Sequence, residues 1–171
     1  MRTATAQAAM AGDTPSVELI ELPLAAGRPS GPRFGALVHA VFAVAPLDAT
    51  ADVLERVALV QARILGAPPE ERAAAVAAVG AALAHPLLRA AAAAAACRRE
   101  LPVLLHADDG ALIEGGLDLA FRDDGGWTVI DFKTDQELGA RADVYRRQVA
   151  LYARALSEAT GVPARAVLLR V

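Results

Sequence analysis

Residues 115–133, GGLDLAFRDDGGWTVIDFK, decide the fold: two alternating runs flank Asp124-Gly125, a pair typical of the two-residue type I′ hairpin loop. Closing the hairpin there makes Asp123 face Gly126 and, further along, Asp118 face Asp131. Opposed residues on one sheet face hold their Cβ atoms about 4.5–5.5 Å apart, and like charges so placed destabilise the sheet. At an effective dielectric of about 20 the repulsion is roughly 3 kcal/mol, which calls for something to offset it. Lys133, two residues past Asp131, projects to the same face opposite Gly116, where no side chain takes up room. Leu117, Leu119, Phe121, Ile130 and Phe132 take the other face as a core stripe.

Upstream, RELPVLLHA reads as a strand ending at the turn Asp108-Asp109-Gly110. With the glycine left-handed, Glu100 falls opposite Asp118, and three carboxylates converge with one lysine. Such oxygens suit a hard divalent cation, Mg²⁺ or Mn²⁺, which relieves their repulsion and polarises a phosphate oxygen, while a lysine orients or deprotonates the attacking water. Downstream, a helix from about Ala142 to Ala159 is closed by Gly161 and Pro163, and AVLLRV reads as a last strand. Residues 34–96 carry helical periodicity, with Pro69, Glu70 and Glu71 suited to a helix start. The order is helices, a three-stranded antiparallel meander, a helix and a strand (αβββαβ), an α/β sandwich. Residues 1–33, punctuated by Gly27, Pro29, Gly31 and Pro32, read as a tail or linker in which Val17–Leu22 forms an edge strand. The domain proper is then 34–171, helical over 34–96 and an αβ core over 97–171.

Composition narrows the function classes. The chain has 171 residues, 55% hydrophobic and largely alanine, with a net charge of −3. That length fits one domain with a real core, and that charge argues against gripping nucleic acid by bulk positive charge. Cys97 is the single cysteine, so neither an internal disulfide nor a four-cysteine zinc or iron–sulfur site can form, and a cytoplasmic location fits. Residues 73–97 approach membrane-span hydropathy, but Arg89 lies inside them and His85-Pro86 interrupts them, so no membrane association is expected.

On spacing alone, the acidic residues read more readily as a solvated sheet face with Lys133 as an ion-pair partner. One compositional fact shifts the balance: sixteen of the seventeen basic residues are arginine, and Lys133 is the only lysine. Arginine stays protonated and is a poor general base, so a lone lysine at this position suggests chemistry.

With these residues in hand, the chain resembles the nuclease domain of the AddA and RecB helicase–nucleases, within the PD-(D/E)XK, restriction-endonuclease-like superfamily, over roughly residues 30 to 171. FGALVHAVF is similar to the family's histidine motif, RRELPV to its glutamate motif, GGLDLAF and VIDFKTD to its two aspartate motifs, and YRRQVALY to its Gln-xxx-Tyr motif. Leu117 stands where the superfamily name has proline. The resemblance implies that His39, Asp118 and Asp131 ligate metal with Glu100 contributing, that Lys133 serves the hydrolytic water, and that Gln148 and Tyr152 position the lysine or the strand. Tyr145 shares their helix face, at i−3 from Gln148. On its own, a histidine in an apolar helix is more often a hydrogen-bonded core residue, and Tyr145 and Tyr152 could be core or rim aromatics. Arg141, Arg146, Arg147 and Arg154 could line a phosphate track, although such arginines are usually just solvated.

The implied activity is Mg²⁺-dependent exonucleolytic hydrolysis of DNA, on single-stranded ends delivered by a helicase motor domain or shared with an AddB-like subunit. No phosphate-binding GxxxxGK[ST] loop occurs, so the chain is not itself the motor. The alternative is a catalytically silent nuclease-like module that binds DNA or docks a partner; a third reading is an alanine-rich helical interaction protein with a purely structural hairpin.

Overall fold

The computed structural model describes residues 1–10, 16–106, 109–134 and 141–171. In chain order the elements are β1 (Arg2–Thr3), α1 (Ala4–Met10), β2 (Glu18–Glu21), α2 (Pro32–Val44), α3 (Ala51–Leu65) and α4 (Pro69–Ala84). There follow α5 (Pro86–Ala93), β3 (Ala96–His106), β4 (Leu112–Asp123), β5 (Gly126–Lys133), α6 (Ala142–Thr160) and β6 (Ala164–Arg170). The six strands form a single sheet in the order β1-β4-β5-β6-β2, with β3 on β4. The fold is mixed α/β, as expected, with β3, β4 and β5 as the antiparallel meander and β2 on a sheet edge.

The chain separates into two compact units. The first contains β1, α1, β3, β4, α6 and β5 up to Asp131, together with most of β2 and β6. Here α6 lays Val149, Tyr152, Ala153 and Leu156 on Leu105, Ile113, Leu117, Ala120 and Val129. That spacing is the 3.6-residue stripe of an amphipathic helix, and a fully buried leucine contributes about 1.5–3 kcal/mol. Gly161 ends α6 at φ 67, the left-handed cap expected of glycine.

The second unit comprises α2 to α5 with Phe132–Thr134 and the last residues of the chain. Phe34, Leu37, Val38 and Val41 of α2 are fully buried, and small residues let its helices approach closely: Ala58, Ala75 and Ala82 have no exposed surface. Arg33 at the start of α2 grips Glu71 in the first turn of α4 with two hydrogen bonds, 2.9 and 2.7 Å. The apolar stretch around residue 85 is broken, as its His-Pro dipeptide suggests. α4 and α5 differ in direction by 72°, and no single helix among the described residues is long and apolar enough to cross a membrane. His85 caps α5, its Nδ1 accepting the Leu87 N–H at 3.2 Å.

Within residues 1–33, read from sequence as a tail or linker, residues 1–10 hold structure in the first unit. Thr3 ends β1 by capping α1, its Oγ1 accepting the Ala6 N–H at 3.2 Å, and Ala4 and Ala8 are buried at 2% and 0% exposure. Two alanines at i, i+4 carry too little apolar surface to stand out against Gly-Pro punctuation in a sequence, yet suffice for a helix that a neighbour covers.

Candidate active site on the β4–β5 hairpin

The hairpin register agrees with the sequence arithmetic. Rungs run from Asp123–Gly126 to Leu119–Ile130; the ladder ends one residue short of Asp118 and Asp131, which the same register, extended, would set opposite each other. The turn type differs from expectation. Neither Asp124 nor Gly125 has positive φ, so the loop is not type I′; Gly126 takes the unusual angle instead, at φ 117. Asp123 Oδ1 accepts the Gly125 N–H at 2.9 Å, an Asx turn, and a Cβ on Gly126 would lie 2.4 Å from the Pro163 carbonyl oxygen. The Trp127 N–H donates to that same carbonyl at 2.8 Å. The aspartate and the β6 end therefore shape the loop, while its length still sets the register.

On the other side of β4, rungs run from Ala96–Arg122 to Arg99–Leu119 and resume from Leu101–Leu117 to His106–Leu112. Glu100 and Asp118 are the residues skipped between the two runs, and the register on either side is the one the loop arithmetic requires. Gly110 is left-handed at φ 79; Asp108 of that turn lies outside the described residues. Glu100 itself has φ 49, a left-handed backbone in mid-strand that costs a non-glycine residue about 1–3 kcal/mol. The facing pattern changes across this break. Leu117 packs in the α6 cluster together with Ala120, three residues away, a spacing that strict alternation forbids. The single core stripe expected to run from Leu117 through Leu119 to Phe121 is thus interrupted at Asp118.

Asp118 also marks a fork. β3 covers one edge of β4 from Leu112 to Arg122, so β5 and β1 share the other edge. β5 pairs with Leu119–Asp123 and β1 with Ile113–Glu114, which leaves Gly115–Asp118 between the two partners.

The residues differ sharply in burial. Asp131 is 3% exposed, its Oδ2 accepts no hydrogen bond, and the residue interacts through other atoms. Asp118 and Lys133 are half-buried and Glu100 is exposed. Lys133 follows Asp131 by two positions on β5, hence on the same strand face. In the second unit, the half-buried His39 meets the Phe132 ring edge-on at 6.5 Å, and Phe42 stacks on that ring at 4.0 Å.

The expected convergence of three carboxylates is not seen: among the described residues no three His, Cys, Asp or Glu side chains come together to hold a metal ion. The geometry explains this. Glu100 and Asp131 sit on strands either side of β4, roughly 10 Å apart at the backbone.

On α6, Gln148 Nε2 donates to the Tyr152 hydroxyl at 2.9 Å, so the i, i+4 pair is joined as its spacing allows. Tyr152 lies directly over Gly115: a Cβ there would stand 2.7 Å from ring Cε1 and 2.8 Å from the hydroxyl. Gly116, by contrast, is exposed, and its nearest neighbour would be the Leu101 carbonyl at 4.0 Å, which is the open space expected there. Sequence reasoning did not single out Gly115; the adjacent pair of glycines in mid-strand was the available signal. Tyr145 is half-buried in the first turn of α6.

The arginines considered as a phosphate track have internal partners or open exposure. Arg146 pairs with Asp143 at 3.1 Å, Arg154 with Glu158 at 2.7 Å, and Arg147 Nε donates to the Ala8 carbonyl; Arg141 is exposed. An open cleft of about 580 Å³ lies elsewhere in the first unit, lined by Arg154, Glu158, Arg165 and Glu18, whose charges pair with one another. Burial pushes the Cys97 thiol above its ordinary pKa, which disfavours a reactive thiolate.

Among curated proteins, none matches this chain. A family model does: that of the PD-(D/E)XK nuclease superfamily, over residues 18–171, a span that contains β2 to β6, Asp118, Asp131 and Lys133. The chain belongs to the PD-(D/E)XK nuclease superfamily.

Proposed function

We propose that this chain is a divalent-metal-dependent DNA exonuclease module whose site is Asp118, Asp131 and Lys133. The observation that supports the proposal is the β4–β5 register, which ends at Leu119–Ile130 and, extended by one residue, brings the buried Asp131 opposite Asp118 at the fork of β4, with Lys133 two positions further along β5. Mg²⁺ keeps several waters and needs only one or two protein carboxylates, so the pair fits such an ion although no trio is assembled. The ion, or Mn²⁺ in its place, supplies polarisation of a phosphate oxygen and acidification of a bound water. Asp118 and Asp131 provide the negative charge that holds it, and Lys133 orients the attacking water or takes its proton. His39 and Glu100 enter as further ligands on the strength of the family motifs, and Gln148, Tyr152 and Tyr145 as residues that position the lysine or the DNA strand.

Five motifs in the order of the AddA and RecB nucleases support the finer reading. On that reading the substrate is a single-stranded DNA end, supplied in the cytoplasm by a helicase motor or with an AddB-like subunit. That no such trio comes together among the described residues favours a second reading, a nuclease-like module that binds DNA without cutting it.

The test incubates linear single-stranded DNA with the full chain in Mg²⁺ or EDTA, alongside Lys133→Ala and Asp131→Ala. Cleavage that needs the metal and both side chains is the expected result. Cleavage in EDTA, or cleavage untouched by both substitutions, overturns the assignment. Calorimetric Mg²⁺ binding that disappears in Asp118→Ala, without any cleavage by the wild type, favours the silent module.

A further inference from the structure

Residues 1–10 precede the span that matches the family, yet they are anchored at one place in the first unit. β1 pairs in parallel with Ile113 and Glu114, the residues just before Gly115. Arg2 holds Asp109 at 2.6 Å and Gln7 at 3.2 Å, and Arg147 on α6 donates to the Ala8 carbonyl. Ala4 is 2% exposed, and its methyl lies 3.1 Å from the point where a Gly115 Cβ would stand. The Tyr152 ring and hydroxyl lie 2.7 and 2.8 Å from the same point, so the ring lies over a missing side chain, and Ala4 and Tyr152 share one buried cluster.

We infer that Arg2–Ala8 is a strap that positions the Tyr152–Gln148 pair for phosphodiester cleavage, with Gly115 and Ala4 as positioning residues. Glycine offers a flat backbone but nothing that stops the ring from sliding, and Ala4 supplies the stop. Tyr152, 3% exposed, then fixes the Gln148 amide through the hydrogen bond to its hydroxyl, leaving the amide oxygen and second N–H in a set direction. Arg147 neighbours Gln148 on α6, so its bond to the Ala8 carbonyl ties the strap to the same helical turn. The inference rests on the reading above that Gln148 and Tyr152 serve the cleavage site.

The chain has only two tyrosines, which makes a direct readout available: fluorotyrosine labelling of the full chain, with Tyr145→Phe assigning the Tyr152 fluorine resonance. Arg2→Ala combined with Arg147→Ala loosens the strap, and Gly115→Ala fills the space under the ring; far-UV circular dichroism verifies folding. The double variant is expected to shift the Tyr152 resonance and open it to broadening by a soluble paramagnetic agent. Its kcat for DNA cleavage should fall by about 100-fold with KM unchanged, the cost of a misplaced positioning group. An unchanged Tyr152 resonance in the double variant overturns the strap. A shifted resonance with undiminished kcat overturns its role in positioning for cleavage. If the wild type cuts no DNA, the functional reading fails by itself, and the fluorine resonance alone decides whether the strap holds the ring.

Discussion

The two halves of β4 obey different rules. From Leu119 to Arg122 the strand is paired on both edges with its meander neighbours, and Leu119, Ala120 and Phe121 are buried at 1% or less. From Leu112 to Leu117 the second edge passes to a two-residue strand, two glycines replace side chains, and residues at 113, 115 and 117 turn toward α6. Asp118 stands at the change, opposite the left-handed Glu100. Regular pairing fixes a register, and a break in pairing makes room for a carboxylate that neither faces solvent freely nor belongs to a core. The proposed site lies where the sheet stops being uniform.

The strongest way to break this comparison is to alter the junction. Asp131→Asn keeps shape and removes charge; DNA cleavage is expected to fall by about 100- to 1,000-fold, equivalent to several kcal/mol of lost transition-state stabilisation. Asp123→Asn, at the regular end of the same hairpin, should leave the cleavage rate unaltered; equal losses at both ends, in single-turnover assays, would erase the distinction.

Next in size are the neighbouring glycines. Gly115→Ala drives a methyl into Tyr152 and is expected to destabilise the fold by about 1–3 kcal/mol, whereas Gly116→Ala, facing open space, should change stability by less than about 0.5 kcal/mol. Urea unfolding measures both, and equal effects would remove the asymmetry of the strand.

Glu100 gives a smaller effect of opposite sign. Glu100→Gly relieves the left-handed strain at the cost of extra unfolded-state freedom, for a net stabilisation of about 1 kcal/mol; Glu100→Ala keeps the strain and gains nothing comparable. The smallest effect lies in the helical unit. Hydrogen bonds from Arg33 hold the Glu71 carboxyl below its ordinary pKa, so its contribution is complete above the unfolded value, about 4.3, and is lost as pH falls through the lowered one. Wild type and Glu71→Gln should differ in urea midpoint at neutral pH and converge in acid, with metal binding at the hairpin unaffected at neutral pH.

Much of this was legible in the chain itself. Loop lengths fix registers whatever the turn's dihedrals, which is why Asp118 could be set opposite both Asp131 and Glu100 although the type I′ turn was wrong. A side-chain hydrogen bond from Asp123 and the Pro163 carbonyl chose the turn, and neither is a local property of Asp-Gly. The helices of the second unit follow from period and proline, and their burial from alanine. Gln148 and Tyr152 came from the resemblance to the Gln-xxx-Tyr motif, and their i, i+4 spacing is what lets the two side chains join.

What the sequence by itself determined, then, is the order of elements from residue 34 onward, the register of the β4–β5 hairpin, and the superfamily, because each depends on spacing along short stretches. Tertiary structure alone decided that Asp131 is buried, that the facing pattern breaks at Asp118, that Gly115 exists to admit Tyr152, and that residues 2–8 close over the same place. Those depend on which distant segments share a few ångströms of space, and no local pattern of residue types encodes that.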